Sequence, residues 1–387
     1  MNVEIHGTEL VNYNLLARIH ERAADYDKRN VFFSEDLEDL RDAGYLKAFV
    51  PKELGGSGLS LKQVSNLQRR LAAAAPATAL GVNMHLVWTG VAASLAARGD
   101  FSHQFVLEEA ARGELFSFGI SEPGNDLVLF SSNTKAVPQA DGGYRFYGQK
   151  IFTSLSPAWT RMGTFGLDDS DPKDPRLVFG FIRREDGGFQ IADDWDTLGM
   201  RASQSQSTKL DGAYSPPEWI TRRIPAGPNA DSLTFAIFAN FLLLVPSVYA
   251  GIAHRALEIA VESAKSKRSK SHGVSNAEIP EVRNRIADAA MIYESLPVQL
   301  DSATAAVDDL EDHGAAWFTK LVGTKIRVTE GAKEVVEIAM KVAGGAGYFN
   351  SSEISRLWRD VQAGSYHPSN TDSARNTFAN FYLGPLA

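Results

Sequence analysis

Apolar and polar positions change their spacing twice along the chain. Residues 9–112 read as helices. Ser34 followed by Glu35 and Asp36 reads as an N-cap with an acidic first turn, Leu37 and Leu40 supply an apolar face, and Gly44 stands where a helix stops. The Pro and Gly loop in "VPKELGGSGLSLKQV" leads to another helix start at Ser60. The Ala-rich segment "LAAAAPATALGVNMHLVWTG" suits close helix packing, with Met84, His85 and Trp88 as core and rim. From about Leu115 to Pro225 the patterns become short, alternating and turn-rich: "FSFGIS", "YRFYGQKIF", "RLVFGFIRR", "FQIADD" and "STKLDGAY". Gly takes positive φ without steric cost, so Asp141-Gly142-Gly143 and Asp186-Gly187-Gly188 are expected to close hairpins in a domain of roughly six to eight strands. After Pro228 the helical period returns, with Val245, Val248, Ile252, Ala256 and Ile259 on one face and Glu258 and Glu262 on the other. Further helices are expected over "IPEVRNRIADAAMIYESL" and from Trp317 to Ala343, where Val328, Ala332, Val335, Ala339 and Val342 form the seam of a helical bundle. The predicted organisation is α+β: an N-terminal helical domain over 1–113, a middle β domain over 114–228 and a C-terminal four-helix bundle over 229–387.

Composition narrows the function. A chain of 387 residues suits two or three subdomains, and 44% hydrophobic with 22% charged residues is ordinary for a globular protein. A net charge of -8 argues against nucleic acid as a partner, and the one dense basic run, "KSKRSK" from Lys265 to Lys270, reads as cations at a helix C-terminus. The absence of cysteine excludes disulfides, thiolate metal sites and cysteine nucleophiles, and fits a reducing cytoplasm. No metal site is expected. The N-terminal "MNVEIHGTEL" has no signal-peptide pattern, and no membrane span is expected, since Asn240 and Pro246 interrupt the longest apolar run.

The richest stretch is Lys341 to Asp372, "KVAGGAGYFNSSEISRLWRDVQAGSYHPSNTD". The cluster of Gly344, Gly345 and Gly347 exceeds what a helix cap needs and would let backbone approach a ligand closely. Together with "GISEPGNDL" at the opening of the β domain, and with the order of helices, strands and bundle, this stretch resembles the acyl-CoA dehydrogenase family of flavoproteins over nearly the whole chain. The resemblance implies FAD, or FMN, held between the β domain and the bundle of a homodimer or homotetramer. It places Phe118, Ile120, Ser121 and Glu122 against the flavin. In Lys150-Ile151-Phe152-Thr153-Ser154, Phe152 and Ser154 are two apart on a strand and share a face. By the resemblance Phe152 covers the flavin and Ser154 bonds it near N5; read alone, Phe152 is a core residue. "DTLGMRAS" brings Arg201 and Ser203 to the substrate mouth, although a surface Arg at a turn fits equally. Arg268 falls where the family places an Arg on a neighbouring subunit's FAD, and Gly344 and Gly345 approach the dinucleotide, with Lys341 replacing the usual Gln.

The family's catalytic Glu has no counterpart. One usual position falls on Pro368, the other on Phe241 beside Asn240. His367 and Asp372 remain as catalytic candidates, with Asn370 in the slot of a flavin-contacting Thr. A His here resembles the reduced-flavin-dependent monooxygenases that share the fold. Three readings stay open. The leading one is oxidation of an acyl-CoA or related small molecule with FAD as hydride acceptor. The second is a two-component monooxygenase fed by a flavin reductase or another electron-transfer partner. The third is a flavin-binding protein without turnover.

Overall fold

In the computed structural model residues 8–385 are described; residues 1–7, part of the segment read as lacking a signal peptide, lie outside the described residues, as do 386–387. Five helices come first: α1 (Tyr13–Arg29), α2 (Ser34–Asp42), α3 (Leu61–Ala74), α4 (Pro76–Ala96) and α5 (Gln104–Ala111). The Asn12 side chain accepts from Leu15 N at 3.0 Å to cap α1, and Ser60 and Gln63 form a reciprocal capping box at α3. At α2 the expectation fails: Ser34 is the first helical residue and no side chain caps the helix. Asp36 is buried and accepts from Arg22 Nε of α1 and Thr78 Oγ1 of α4, each at 2.7 Å. An acid expected to serve the helix dipole instead joins three helices.

The middle of the chain is an eight-stranded sheet. Its strands are β1 (Phe116–Gly119), β2 (Lys135–Pro138), β3 (Tyr144–Lys150), β4 (Arg161–Asp168), β5 (Arg176–Arg183), β6 (Phe189–Ile191), β7 (Thr208–Ser215) and β8 (Ile220–Pro225). Their order is β6-β7-β3-β2-β4-β5-β8, with β1 pairing β4 in parallel. The turn at Asp141-Gly142-Gly143 closes the antiparallel β2–β3 hairpin as expected. The turn at Asp186-Gly187-Gly188 closes none, because β5 pairs with β4 and β8 while β6 pairs with β7. Its two glycines, at φ +67° and +75°, redirect the chain between distant strands.

The last third holds α6 (Ser232–Ser266), α7 (Pro280–Asp308), α8 (Ala316–Ala343), α9 (Glu353–Val361) and α10 (Thr371–Leu383). The seam residues Val328, Ala332, Val335 and Ala339 are fully buried where α8 meets its neighbours. Asn240 and Pro246 do not break α6, which runs through both for 35 residues. The Asn240 amide nitrogen donates to Ala236 O at 2.9 Å and Ser94 Oγ at 3.1 Å. Against the sequence expectation, α4 and α6 are each long and apolar enough to cross a membrane by length and composition, and 83% of the relevant window of each is buried inside the protein. Their apolar surface is covered by protein. α4 and α6 pack on each other and α4 packs on β1, so the three regions converge along one seam.

Candidate active site

That seam opens into a cavity of about 490 Å³. Leu80 and Met84 of α4, Phe118 and Ser121 after α5, Phe152 and Ser154 after β3, the Trp195–Met200 turn, Phe241 of α6 and the chain from Arg359 to Pro368 contribute to its walls. Phe152 has φ +56° and a ring that is 53% exposed, edge-to-face with Trp195 at 6.2 Å. A non-glycine residue in that region costs on the order of 1 kcal/mol, which the surrounding structure must offset. Two residues on, Ser154 Oγ lies 2.7 Å from Ser205 Oγ, which lies 2.8 Å from Ser203 Oγ. An exposed ring beside a chain of hydroxyls, with this much open volume, fits a planar ring system with a polar edge. Thr153, between them, turns away to Thr208 Oγ1 at 2.7 Å.

The segment after β1 divides. The Phe118 ring stacks on Phe241 at 5.4 Å and Ser121 reaches the cavity, whereas Ile120 is buried and lines only a small adjoining pocket with them. Ile151 N donates to Ser121 O at 2.9 Å, which ties this segment to the one carrying Phe152. Glu122 points inward, not to the cavity. Lys150 Nζ donates to it at 2.6 Å, Ser132 Oγ at 2.6 Å and Asn133 N at 2.7 Å, and both members of the ion pair have fully buried side chains. Burial opposes the charge, yet Lys150 and these donors hold the Glu122 carboxyl at about 2.

His367 lines the opposite wall. Its Nε2 lies 2.6 Å from Tyr249 Oη of α6, and its ring meets Phe241 edge-on at 6.4 Å. Burial, with the Lys325 ammonium nearby, pushes the imidazole down to about 3, so it is neutral and a far weaker base than an ordinary histidine. Asp372 is not brought to it. It lies on the surface in the first turn of α10, paired with Arg375 at 3.0 Å, because the helix starting at Thr371 turns that side chain outward. Asn370 is the cap of the same helix, its Oδ1 accepting from Ser373 N at 2.9 Å. Among the described residues lining the cavity there is no carboxylate.

Arg201 is committed to structure. Its guanidinium donates to Asp27 O at 2.9 Å and Thr197 O at 3.0 Å, holding the turn that carries Trp195 and Leu198 rather than facing the cavity. Ser203 contributes through the hydroxyl chain. The cation on the cavity wall is Arg359, which donates to both Asp27 carboxylate oxygens, at 3.0 and 2.5 Å, and to Leu198 O. Gly199 is needed where this turn meets α9, since a Cβ there would sit 2.3 Å from Arg359 O. Arg268, Gly344 and Gly345 lie elsewhere. Arg268 donates to Gly273 O within its own loop, and a Cβ on Gly344 or Gly345 would meet nothing within 4 Å. Gly344 is 19 residues beyond Lys325 on α8, about 28 Å along a helix axis. The motifs gave no sign of Leu80, Trp195, Tyr249 or Lys325, and Met84 reads as plain core; only the assembled fold puts these residues at or beside the cavity.

Helices, a sheet and a helical bundle meeting at a mostly apolar cavity define a flavin oxidoreductase of the acyl-CoA dehydrogenase type. The chain belongs to that family: residues 14–114 match the acyl-CoA dehydrogenase N-terminal domain and residues 243–371 the acyl-CoA dehydrogenase C-terminal domain. Over 366 residues it is 27% identical to L-evernosamine nitrososynthase of a Micromonospora strain, covering 91% of this chain and 84% of that protein. Dibenzothiophene monooxygenase of Rhodococcus erythropolis is 25% identical over 370 residues, covering 89% and 86%. Among solved structures, KijD3 in complex with FMN and a dTDP-linked amino sugar superposes with a TM-score of 0.85 at 26% identity, over 97% of this chain and 92% of that one.

Proposed function

We propose that the protein is the oxygenating component of a two-component flavin monooxygenase. A partner reductase supplies reduced FMN or FAD. One atom of dioxygen goes to a nitrogen, sulfur or carbon of a small uncharged substrate, and the other leaves as water. The observation that carries this reading is the cavity wall itself: no carboxylate among its described residues, and a neutral His367 bonded to Tyr249. Removing the α-proton of an acyl thioester needs a competent base within reach, and an imidazole held at about 3 is a poor one. A neutral ring is suited to holding a proton near an oxygen. Either atom can be the donor in the Tyr249–Nε2 contact, and Nδ1 has no protein hydrogen-bond partner among the described residues.

The remaining walls select the substrate. Leu80, Met84, Trp195, Leu198 and Phe241 offer apolar contact, and Arg359 is already neutralised by Asp27, so a charged reacting group would find no partner. Bound reduced, the flavin supplies the electrons that activate dioxygen, and Phe152, Ser154 and Phe118 are the residues that would hold its ring system. Arg268, Gly344 and Gly345 would reach it only from a second copy, as in the homodimer or homotetramer that the family resemblance implies. The relatives named for nitroso synthesis and for dibenzothiophene oxygenation, and the one solved with FMN, support the same chemistry.

The test supplies FMN or FAD, reduced by a separate reductase, to the purified protein under isotopically labelled dioxygen with indole, dibenzothiophene and a set of anilines, all uncharged at neutral pH. Label in a product is the expected result. Anaerobic bleaching of the oxidised flavin by acyl-CoA thioesters, with no labelled product in the first assay, would replace this reading with dehydrogenation.

A further inference from the structure

Lys325 has a fully buried side chain on α8 and makes no ion pair among the described residues; the Glu330 carboxylate acts on its charge only from beyond ion-pair distance. Its ammonium instead donates to three backbone carbonyls, Gly364 O at 2.9 Å, His367 O at 3.1 Å and Ser369 O at 2.8 Å. Three donors meet three acceptors, so every N–H of the cation is matched by a backbone carbonyl. A buried charge is costly, and an apolar residue would fill the same volume without that cost, so its presence calls for a reason. The segment it grips provides one. Between α9 and α10 no strand or long helix orders the chain; apart from a short 3-10 turn over Gln362–Ser365, the backbone bond from Tyr366 N to Ala363 O is what holds it locally. Gly364 fits the segment against both flanking helices, since a Cβ there would lie 3.2 Å from Thr329 of α8 and from Tyr249 of α6.

We propose that Lys325 is a positioning residue for His367: its ammonium gathers the carbonyls of residues 364, 367 and 369 and so fixes the imidazole against Tyr249 on the cavity wall. The turn is thereby held from two sides, its backbone by α8 and its side chain by α6. The other titratable groups around the ring are already engaged. Tyr249 bonds it, Arg359 is paired with Asp27, and Asp360 accepts from Met200 N at 2.6 Å. Lys325 is the group whose removal frees the turn without touching the ring or its partner.

The idea rests on the role given to His367, so its test reads the histidine directly and needs no turnover. The full-length protein is labelled at the histidine ring carbon and titrated by NMR, with H367Q assigning the signal. K325M is expected to displace the His367 resonance and to raise its titration midpoint by more than one pH unit, leaving the other histidines in place. K325R keeps the cation in a shape that cannot meet all three carbonyls, and is expected to give a smaller shift in the same direction. An unmoved His367 signal in folded K325M overturns the proposal; if K325M does not fold, an unmoved signal in K325R does so. Loss of labelled product is scored separately. If the monooxygenase assay finds no product in any form, a displaced His367 signal still supports the positioning role.

Discussion

Tyr249 Oη lies 2.6 Å from Nε2 of His367, although 118 residues separate them in the chain. Burial raises the phenol well above its ordinary value and lowers the imidazole, so both partners are neutral and share one proton without ionising. Y249F removes the bond while keeping the ring. It is expected to lower kcat on whichever substrate is oxygenated by about tenfold or more, the usual scale of a positioned proton-holding group. KM should change by less than about threefold, because the phenol does not line the cavity. A KM effect larger than the kcat effect would show that Tyr249 shapes the pocket rather than the ring.

The buried pair of Glu122 and Lys150 makes a prediction about stability. E122Q leaves a fully buried ammonium whose other hydrogen-bond partner is Phe165 O at 2.8 Å. Stranding one member of such a pair costs about 3–5 kcal/mol. The double variant E122Q/K150M removes the stranded charge, although the single amide oxygen can accept from only one of the two sides that Ser132 and Asn133 occupy on the carboxylate, and should be more stable than E122Q alone. Urea unfolding of the three proteins checks this. A double variant no better than the single one would mean the two side chains are not coupled.

What the chain reveals in advance follows from how local each feature is. His367 is legible because no carboxylate occupies the places where one is expected, whereas Phe152 and Ser154 reach the cavity by a route that strand alternation does not describe: β3 ends at Lys150, Phe152 has φ +56° and Ser154 N donates to Phe152 O at 2.9 Å, so a tight turn and not a pleat presents both side chains. Tyr249 and Lys325 read as ordinary helix positions, and nothing local marks them; the contacts that give them meaning span 118 and 42 residues. β4 is hidden for a different reason. Its "RMGTFGLD" carries two glycines that look like turn signals, yet a Cβ at Gly163 would lie 2.3 Å from the Trp88 ring, so the glycine makes room for α4. Asp372 misleads because proximity in sequence to His367 says nothing once a helix begins between them.

Phe152 pairs an exposed ring on the cavity wall with an unfavourable backbone. F152A removes the ring and leaves the φ of +56°, whereas F152G removes the ring and also accommodates that backbone. Both variants should weaken flavin binding by at least about tenfold, on the scale of losing an aromatic contact worth roughly 0.5–1.5 kcal/mol plus its buried area. F152G should be more stable than F152A by about 1 kcal/mol. Flavin fluorescence titration and thermal unfolding measure the two effects separately. Unchanged flavin affinity in both variants would remove Phe152 from the binding site.

Buried titratable groups also set how stability changes with acid. Burial lowers His85 to about 4, and His103 and His367 to about 3, so the folded protein keeps all three neutral where the unfolded chain, near 6.5, protonates them. Their contribution is complete above pH 6.5 and is lost as the pH falls. Asp36 and Asp360 act in the opposite direction. Burial raises each from 3.8 to about 6, so the folded state binds their protons first and gains stability between pH 6 and 4. At pH 5 the unfolded chain holds nearly three extra protons on the histidines and lacks nearly two on the carboxyls, a net excess of about one. Stability should therefore fall by about 1.4 kcal/mol per pH unit between pH 6 and 5. Replacing Asp36 with Asn removes one opposing group and should steepen that slope. Urea unfolding at pH 7, 6 and 5 tests both statements, and stability that rises toward pH 5 in the unsubstituted protein would mean that the buried carboxyls, not the imidazoles, dominate.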